Sequence, residues 1–139
     1  MGQLAEFVSN HPYLAVGVIV SLLAVIFYEL RQMSQNSTQI GSGDAVRMIN
    51  KGATIIDVRK PDEYQAGHIV NAKNIELSQI EGDGNVVKKQ KNRALLTVCE
   101  NGFSSSKAAT LLRGAGYENV FSLKAGLASW RANNLPLVK

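Results

Sequence analysis

The chain has 139 residues, one cysteine, two histidines and a net charge of +4 from 15 basic and 11 acidic side chains. That length holds one domain and an appendage, and a single cysteine excludes an internal disulfide, a CxxC redox pair and a cysteine metal cluster. His11 and His68 lie far apart without ligand spacing, so no metal is expected; the one basic run, Lys88-Lys89-Gln90-Lys91-Asn92-Arg93, has no interleaved aromatics and reads as a solvated helix end or loop, with no nucleic-acid partner.

In chain order, a short tail (residues 1–12) precedes an uncharged run from Tyr13 to Tyr28, which Leu30 extends past Glu29. As a helix, residues 13–30 would be about 24–27 Å long, just short of a bilayer's hydrocarbon core. Tyr13 and Tyr28 stand at its ends, where amphipathic rings favour the interface, and the apolar character runs all round, which disfavours a helix lying on the surface. A cleaved signal peptide is the main alternative and a buried core helix a more distant one. Met1 to Pro12 carries no Lys or Arg, however, and no A-x-A site follows the run, so a retained single-span anchor is expected. Every Lys and Arg lies after the span, beginning with Arg31. The positive-inside rule therefore places the tail outside and the body in the cytoplasm, where a lone reduced cysteine also fits.

Residues 31–38 are polar and read as an irregular linker, and from Gln39 strand-like and helix-like stretches alternate. Ile40 opens a short strand. Ser42 or Gly43 to Asn50 reads as a helix with Ser42 as the candidate N-cap, and Ala45, Val46 and Ile49 face inward. Thr54 to Val58 is a β-branched buried strand, Pro61 to Tyr64 opens a short helix that Gly67 ends, and Ala72 to Leu77 is another strand. Ser78 caps a turn, and Glu81 to Asn85 is a loop. Ala94 to Cys99 reads as the central strand, Phe103 to Arg113 as a helix closed by Gly114 and Gly116, Asn119 to Leu123 as a strand and Leu127 to Asn133 as the last helix. The fold class is therefore α/β, a parallel sheet flanked by helices and preceded by one transmembrane helix.

Cys99 falls where the central strand meets the loop Glu100-Asn101-Gly102-Phe103-Ser104-Ser105 and the helix beyond. Ligands bind beyond the carboxyl ends of such strands, and the helix N-terminus favours an anion there, which favours the thiolate nucleophile. Curled round the sulfur, the loop amides form an anion nest; Gly102 supplies the tight turn, and Ser104 and Ser105 supply hydroxyls. A phosphatase of this kind needs an arginine six positions after the cysteine, and that position holds Ser105, so the chemistry turns from phosphate toward sulfane sulfur. The competing reading is an inert strand-end cysteine.

Asp57-Val58-Arg59, Glu63-Tyr64, Gly67-His68-Ile69, Ala72 and Asn74-Ile75 resemble the upstream signature of rhodanese domains. Val98-Cys99, Gly102, Ser105, Ala108-Ala109, Leu112, Gly116-Tyr117, Asn119-Val120, Leu123, Gly126 and Trp130 resemble the downstream half, so the likeness covers residues 39–138. The whole chain is similar to single-domain, membrane-anchored bacterial rhodaneses. The resemblance implies a sulfurtransferase of the bacterial inner membrane whose Cys99 carries a persulfide between a sulfane-sulfur donor and a thiol acceptor, with no cofactor. Glu100, Asn101, Gly102, Phe103, Ser104 and Ser105 form the binding loop, and Asp57 and Arg59 support it. Arg59 is expected to pair with Glu63, and Asp57 to bond backbone near the loop; His68, Tyr117 and Trp130 are expected to pack. Many active members carry a basic residue in the loop where this chain has Glu100 and Ser104. Glu100 should repel a dianion such as thiosulfate, Lys107 should offset part of that, and a protein or low-molecular-weight persulfide is the expected donor. The alternative is a non-catalytic rhodanese-fold module that recruits a partner protein to the membrane.

Overall fold

A computed structural model describes residues 2–36, 38–90 and 92–139, and divides them into an N-terminal unit up to Ser37 and a body from Thr38 to Lys139. Ser37 of the expected linker and Lys91 of the basic run lie outside the described residues. The N-terminal unit consists of helices α1 (Gly2–Asn10) and α2 (Pro12–Asn36). Within α2, Pro12–Arg31 is a stretch of 20 residues of mean hydropathy 2.2, none of it buried. At 1.5 Å per residue it is about 30 Å long, enough to cross a membrane. The helix continues through Asn36, so most of the segment expected to be an irregular linker is helical. Its residues Gln32 to Gln35 include no Gly or Pro to stop it.

The body comprises β1 (Gln39–Ile40), α3 (Ser42–Asn50), β2 (Thr54–Asp57), α4 (Pro61–Ala66), β3 (Lys73–Asn74), α5 (Leu77–Gly82), β4 (Leu95–Val98), α6 (Phe103–Gly114), β5 (Val120–Leu123) and α7 (Gly126–Ala132). The strands form one sheet in the order β1-β5-β4-β2-β3, and every pairing is parallel. Side chains alternate across the central strand β4. Leu95 joins Ile80, Ala108, Leu112 and Tyr117 on the face covered by α5 and α6, whereas Leu96 and Val98 join Ala45, Leu123, Leu127 and Trp130 on the face covered by α3 and α7. The same alternation sends Cys99 to the α6 side, where it belongs to the first of these clusters.

Three local expectations change. Gly41, not Ser42, caps α3; the Ser42 hydroxyl instead accepts a hydrogen bond from Asn133 Nδ2 at 2.8 Å, tying the first turn of α3 to the end of α7. The strand expected from Ala72 to Leu77 shrinks to β3, because α5 begins at Leu77 and takes in part of the expected loop. The cap there is Glu76 rather than Ser78: Gln79 Oε1 accepts the Glu76 N–H at 3.0 Å. His68 and Trp130 are structural, as expected. The His68 ring stacks on Tyr64 and its Nδ1 meets the Tyr64 carbonyl at 2.9 Å, while Trp130 Nε1 donates to the Pro136 carbonyl.

Candidate active site

At the C-terminal end of β4 the chain turns through Glu100-Asn101-Gly102 and enters α6. Gly102 makes that turn possible: its φ of +92° is left-handed, and a Cβ there would stand 3.0 Å from the Ala125 backbone nitrogen. The loop closes on the Cys99 sulfur. The N–H groups of Gly102 and Ser105 point at Sγ with N···S distances of 3.0 and 3.4 Å, and Ser105 Oγ is also 3.4 Å away. Asn101 Oδ1 accepts the Phe103 N–H at 3.1 Å and lies 3.7 Å from Sγ. Backbone N–H groups converging on one sulfur stabilise negative charge on it or on a second sulfur attached to it.

A layer of buried serines holds this cradle. Ser105 and Ser106 hydroxyls both donate to the Gly102 carbonyl, at 3.2 and 2.8 Å, and Ser106 in turn accepts from Gln39 Nε2 at 2.9 Å. Thr97 Oγ1 donates to the Ser105 carbonyl at 2.8 Å. From the other side, the N-terminus of α7 grips the loop: the Leu127 N–H bonds the Cys99 carbonyl at 2.8 Å and the Ala128 N–H bonds the Glu100 carbonyl at 3.1 Å. Gly126 makes this approach possible, because a Cβ there would fall 2.2 Å from the Cys99 carbonyl oxygen.

Cys99 is only 3% exposed and forms part of the wall of a cleft of about 490 Å³, with the starts of α4 and α5 opposite and Ser104 at its side. Phe103 points outward and is 79% exposed. Arg59, Glu63 and Glu100 line both this cleft and a neighbouring one of about 370 Å³.

The charges round the cleft are arranged differently from the expectation. Arg59 does not bond Glu63; its Nε and Nη2 form a fork on Asp57, at 3.0 Å to Oδ1 and 2.7 Å to Oδ2, and both residues are buried. Asp57 accordingly serves Arg59 rather than the cysteine loop, while Glu63 accepts the Lys60 N–H at the start of α4. The short β2–α4 connection folds Arg59 back over the end of its own strand, which brings it to Asp57 two residues earlier. Burial opposes the Arg59 charge, but the Asp57 hydrogen bond and carboxylate outweigh it and its pKa is raised. Arg59 Nη1 also comes within 3.6 Å of Glu100 Oε2.

Glu100 is not an unbalanced charge. Arg131, near the end of α7, donates Nη1 to its Oε1 and Nη2 to its Oε2, the second at 3.1 Å. This hydrogen bond from Arg131 pulls the Glu100 carboxyl below the usual carboxylate range against the opposing effect of burial, helped by the charges of Arg131 and Arg59. Lys107, expected to offset Glu100, pairs with Glu81 instead. Arg131, Ser106 and Gly126 as the grip on the loop are therefore site residues that the sequence reading did not assign. Ser106 sits one residue beyond the expected loop, whereas the Arg131–Glu100 contact spans 31 residues and leaves no local signal.

Comparison with known proteins agrees with this architecture. The family model for the rhodanese-like domain matches residues 42–133. The Escherichia coli K12 protein YibN is 33% identical over 141 aligned positions, covering all of this chain and 99% of that one. The thiosulfate sulfurtransferase GlpE of Pseudomonas entomophila is 32% identical over 94 positions, 68% of this chain and 84% of that protein. Among solved structures, a rhodanese-related protein from Thermoplasma volcanium superposes with a TM-score of 0.65 at 28% identity, covering 72% of this chain and 96% of that one. A rhodanese-like domain from Anabaena sp. gives 0.63 at 30% identity, covering 73% and 78%. The parallel sheet with a cysteine cradled at the end of its central strand thus places the chain in the rhodanese-like domain family.

Proposed function

We propose that this protein is a membrane-anchored sulfurtransferase that carries sulfane sulfur on Cys99. The observation that carries the reading is the cradle itself: Gly102 and Ser105 N–H groups on Sγ, with a serine where a phosphoryl-binding loop would need an arginine side chain. GlpE, named as a thiosulfate sulfurtransferase, supports it from the family side.

In the first half-reaction the Cys99 thiolate attacks the sulfane sulfur of a donor. A sulfur–sulfur bond forms to Sγ, the donor's own bond to that sulfur breaks, and the leaving group departs with the electron pair, as sulfite from thiosulfate or as a thiolate from a persulfide. The amides of Gly102 and Ser105 stabilise the charge that the persulfide brings into the loop, and Glu100 to Ser104 shape the entrance. In the second half-reaction an acceptor thiolate attacks the outer sulfur, Cys99 leaves as thiolate and the acceptor holds the persulfide. The acceptor comes from outside the chain, which has no second cysteine.

Residues 13–30 of α2 serve as the anchor in the bacterial inner membrane, with residues 1–12 outside, 31–38 as the connecting segment and the domain of residues 39–138 in the cytoplasm. The apolar stretch of 20 residues and the position of every basic residue after it support this arrangement.

The test uses the full-length chain in mild detergent, incubated with thiosulfate and separately with an alkyl persulfide, and weighed intact. An adduct of about 32 Da, one sulfur atom, is expected on Cys99, removable by excess thiol and absent in Cys99→Ser. If neither donor gives an adduct on folded protein, the reading fails and the non-catalytic recruiting module takes its place.

A further inference from the structure

We infer that Arg131 is a positioning residue that sets which sulfur donors the Cys99 cleft accepts, by holding the Glu100 carboxylate away from it. The inference rests on the sulfurtransferase reading and deepens it. Glu100 follows the nucleophile directly and borders two clefts, the one that contains Cys99 and its neighbour. Arg131 borders only the neighbour, and it takes both oxygens of Glu100. The clamp therefore draws the carboxylate toward the side without the sulfur. It also has a rigid base: the Ala128 N–H holds the Glu100 carbonyl, and Arg131, one turn further along α7, holds the same residue's side chain.

Among the described residues no other cation takes both oxygens of Glu100, Lys60 on the wall of the Cys99 cleft included. Arg59 spends Nε and Nη2 on Asp57 and the Gly67 carbonyl, reaching Glu100 only with Nη1 at 3.6 Å, and Lys107 is paired with Glu81. The Cys99 cleft is also lined by Glu63, Glu76 and Glu81 beside the cations Arg59 and Lys60, so a released Glu100 would add a further negative charge to a wall that already carries three. Repulsion scales with the donor's charge. A dianion such as thiosulfate should feel it twice as strongly, on a logarithmic scale, as a donor with one charge.

The experiment measures kcat/KM for sulfur loading of the full-length chain in detergent with thiosulfate and with a singly charged alkyl persulfide. Arg131→Gln is expected to lower the thiosulfate value about tenfold, mainly through KM, and the alkyl persulfide value about threefold. About 0.5 M salt should shrink both losses. Arg131→Lys should recover most of the loss, and Glu100→Gln in the Arg131→Gln background should abolish it. Glu100→Gln alone, which frees the Arg131 charge, should raise the thiosulfate value about threefold above the parent; this variant keeps the test open should Arg131→Gln fail to fold. The inference is overturned if loss is equal for the two donors, if it persists in the double variant, or if Glu100→Gln alone lowers the thiosulfate value. Failure of the parent chain to load sulfur from either donor would instead sink the sulfurtransferase reading itself.

Discussion

At the cysteine loop, two glycines set how closely the backbone of α7 approaches the sulfur's cradle. A Cβ on Gly126 would lie 2.2 Å from the Cys99 carbonyl oxygen and 2.6 Å from the Glu100 carbonyl carbon, all backbone atoms that cannot rotate aside. Gly126→Ala must push α7 off the loop and break the bonds from Leu127 and Ala128. We expect a loss of about 3 kcal/mol or more in urea unfolding, together with slower sulfur loading. At Gly102 the contact is looser, 3.0 Å to the Ala125 nitrogen, and the main penalty is the φ of +92°. Gly102→Ala should cost about 1–2 kcal/mol. Gly43, inside α3 with open space where its Cβ would be, is the control, and Gly43→Ala should leave stability unchanged or raise it by up to about 1 kcal/mol. A Gly126 variant as mild as the Gly102 variant would show that α7 does not support the loop.

Between elements, two charge contacts sit at the strand ends, one between Asp57 of β2 and Arg59 in the connection to α4 and one between Glu100 after β4 and Arg131 of α7, and they should respond differently to perturbation. The Asp57–Arg59 fork is buried, so Arg59→Leu leaves a carboxylate without its partner and should cost about 3–5 kcal/mol in the same unfolding measurement. The Glu100–Arg131 clamp is half-exposed and is worth much less. Its signature is pH dependence. The folded pKa of Glu100 is depressed, so the unfolded chain takes up the proton first as pH falls. The clamp's contribution is whole above the unfolded carboxylate's pKa and disappears as pH drops through the folded value. Melting temperatures of the parent chain should therefore fall more steeply from about pH 5 to pH 3 than those of Arg131→Gln; parallel acid limbs would exclude the clamp as a source of stability. These contacts also show where the sequence is readable. β4, α6 and the loop between them announce themselves through an apolar run, a glycine and a serine-rich helix start, all within a few residues. The partners of Arg59 and Glu100 do not, because a backbone fold-back and a contact 31 residues away decide them. The boundary between β3 and α5 was equally hidden: Gln79 settles it by capping Glu76, a choice between competing local bonds.

On the scale of the whole molecule, the chain has a body with its own two-sided core and an N-terminal helix rich in exposed apolar side chains. Leu14, Val18, Leu22, Val25 and Phe27 are each more than half exposed, whereas the core clusters of the body, among the described residues, draw on residues from Ile40 onward. An uncharged run is legible as a helix long and apolar enough to span a membrane; its continuation to Asn36 is not, because the polar residues after Arg31 carry no apolar periodicity. If the helix is buried in lipid as proposed, its insertion and the folding of the body draw on separate sets of residues, and that separation can be measured. Replacing Val20 and Leu23 by arginine puts two charges near the middle of the apolar stretch, at about 2.5–3.5 kcal/mol each for insertion. The parent chain should remain in the membrane pellet after alkaline carbonate and leave it with detergent. The double variant should appear in the soluble fraction with the melting temperature of its body unchanged. Protease added to inside-out vesicles should digest the body of the parent chain, and added to right-side-out spheroplasts should leave it intact. Digestion only in spheroplasts would reverse the orientation and place Cys99 outside the reducing compartment; release by carbonate would show that the helix does not span.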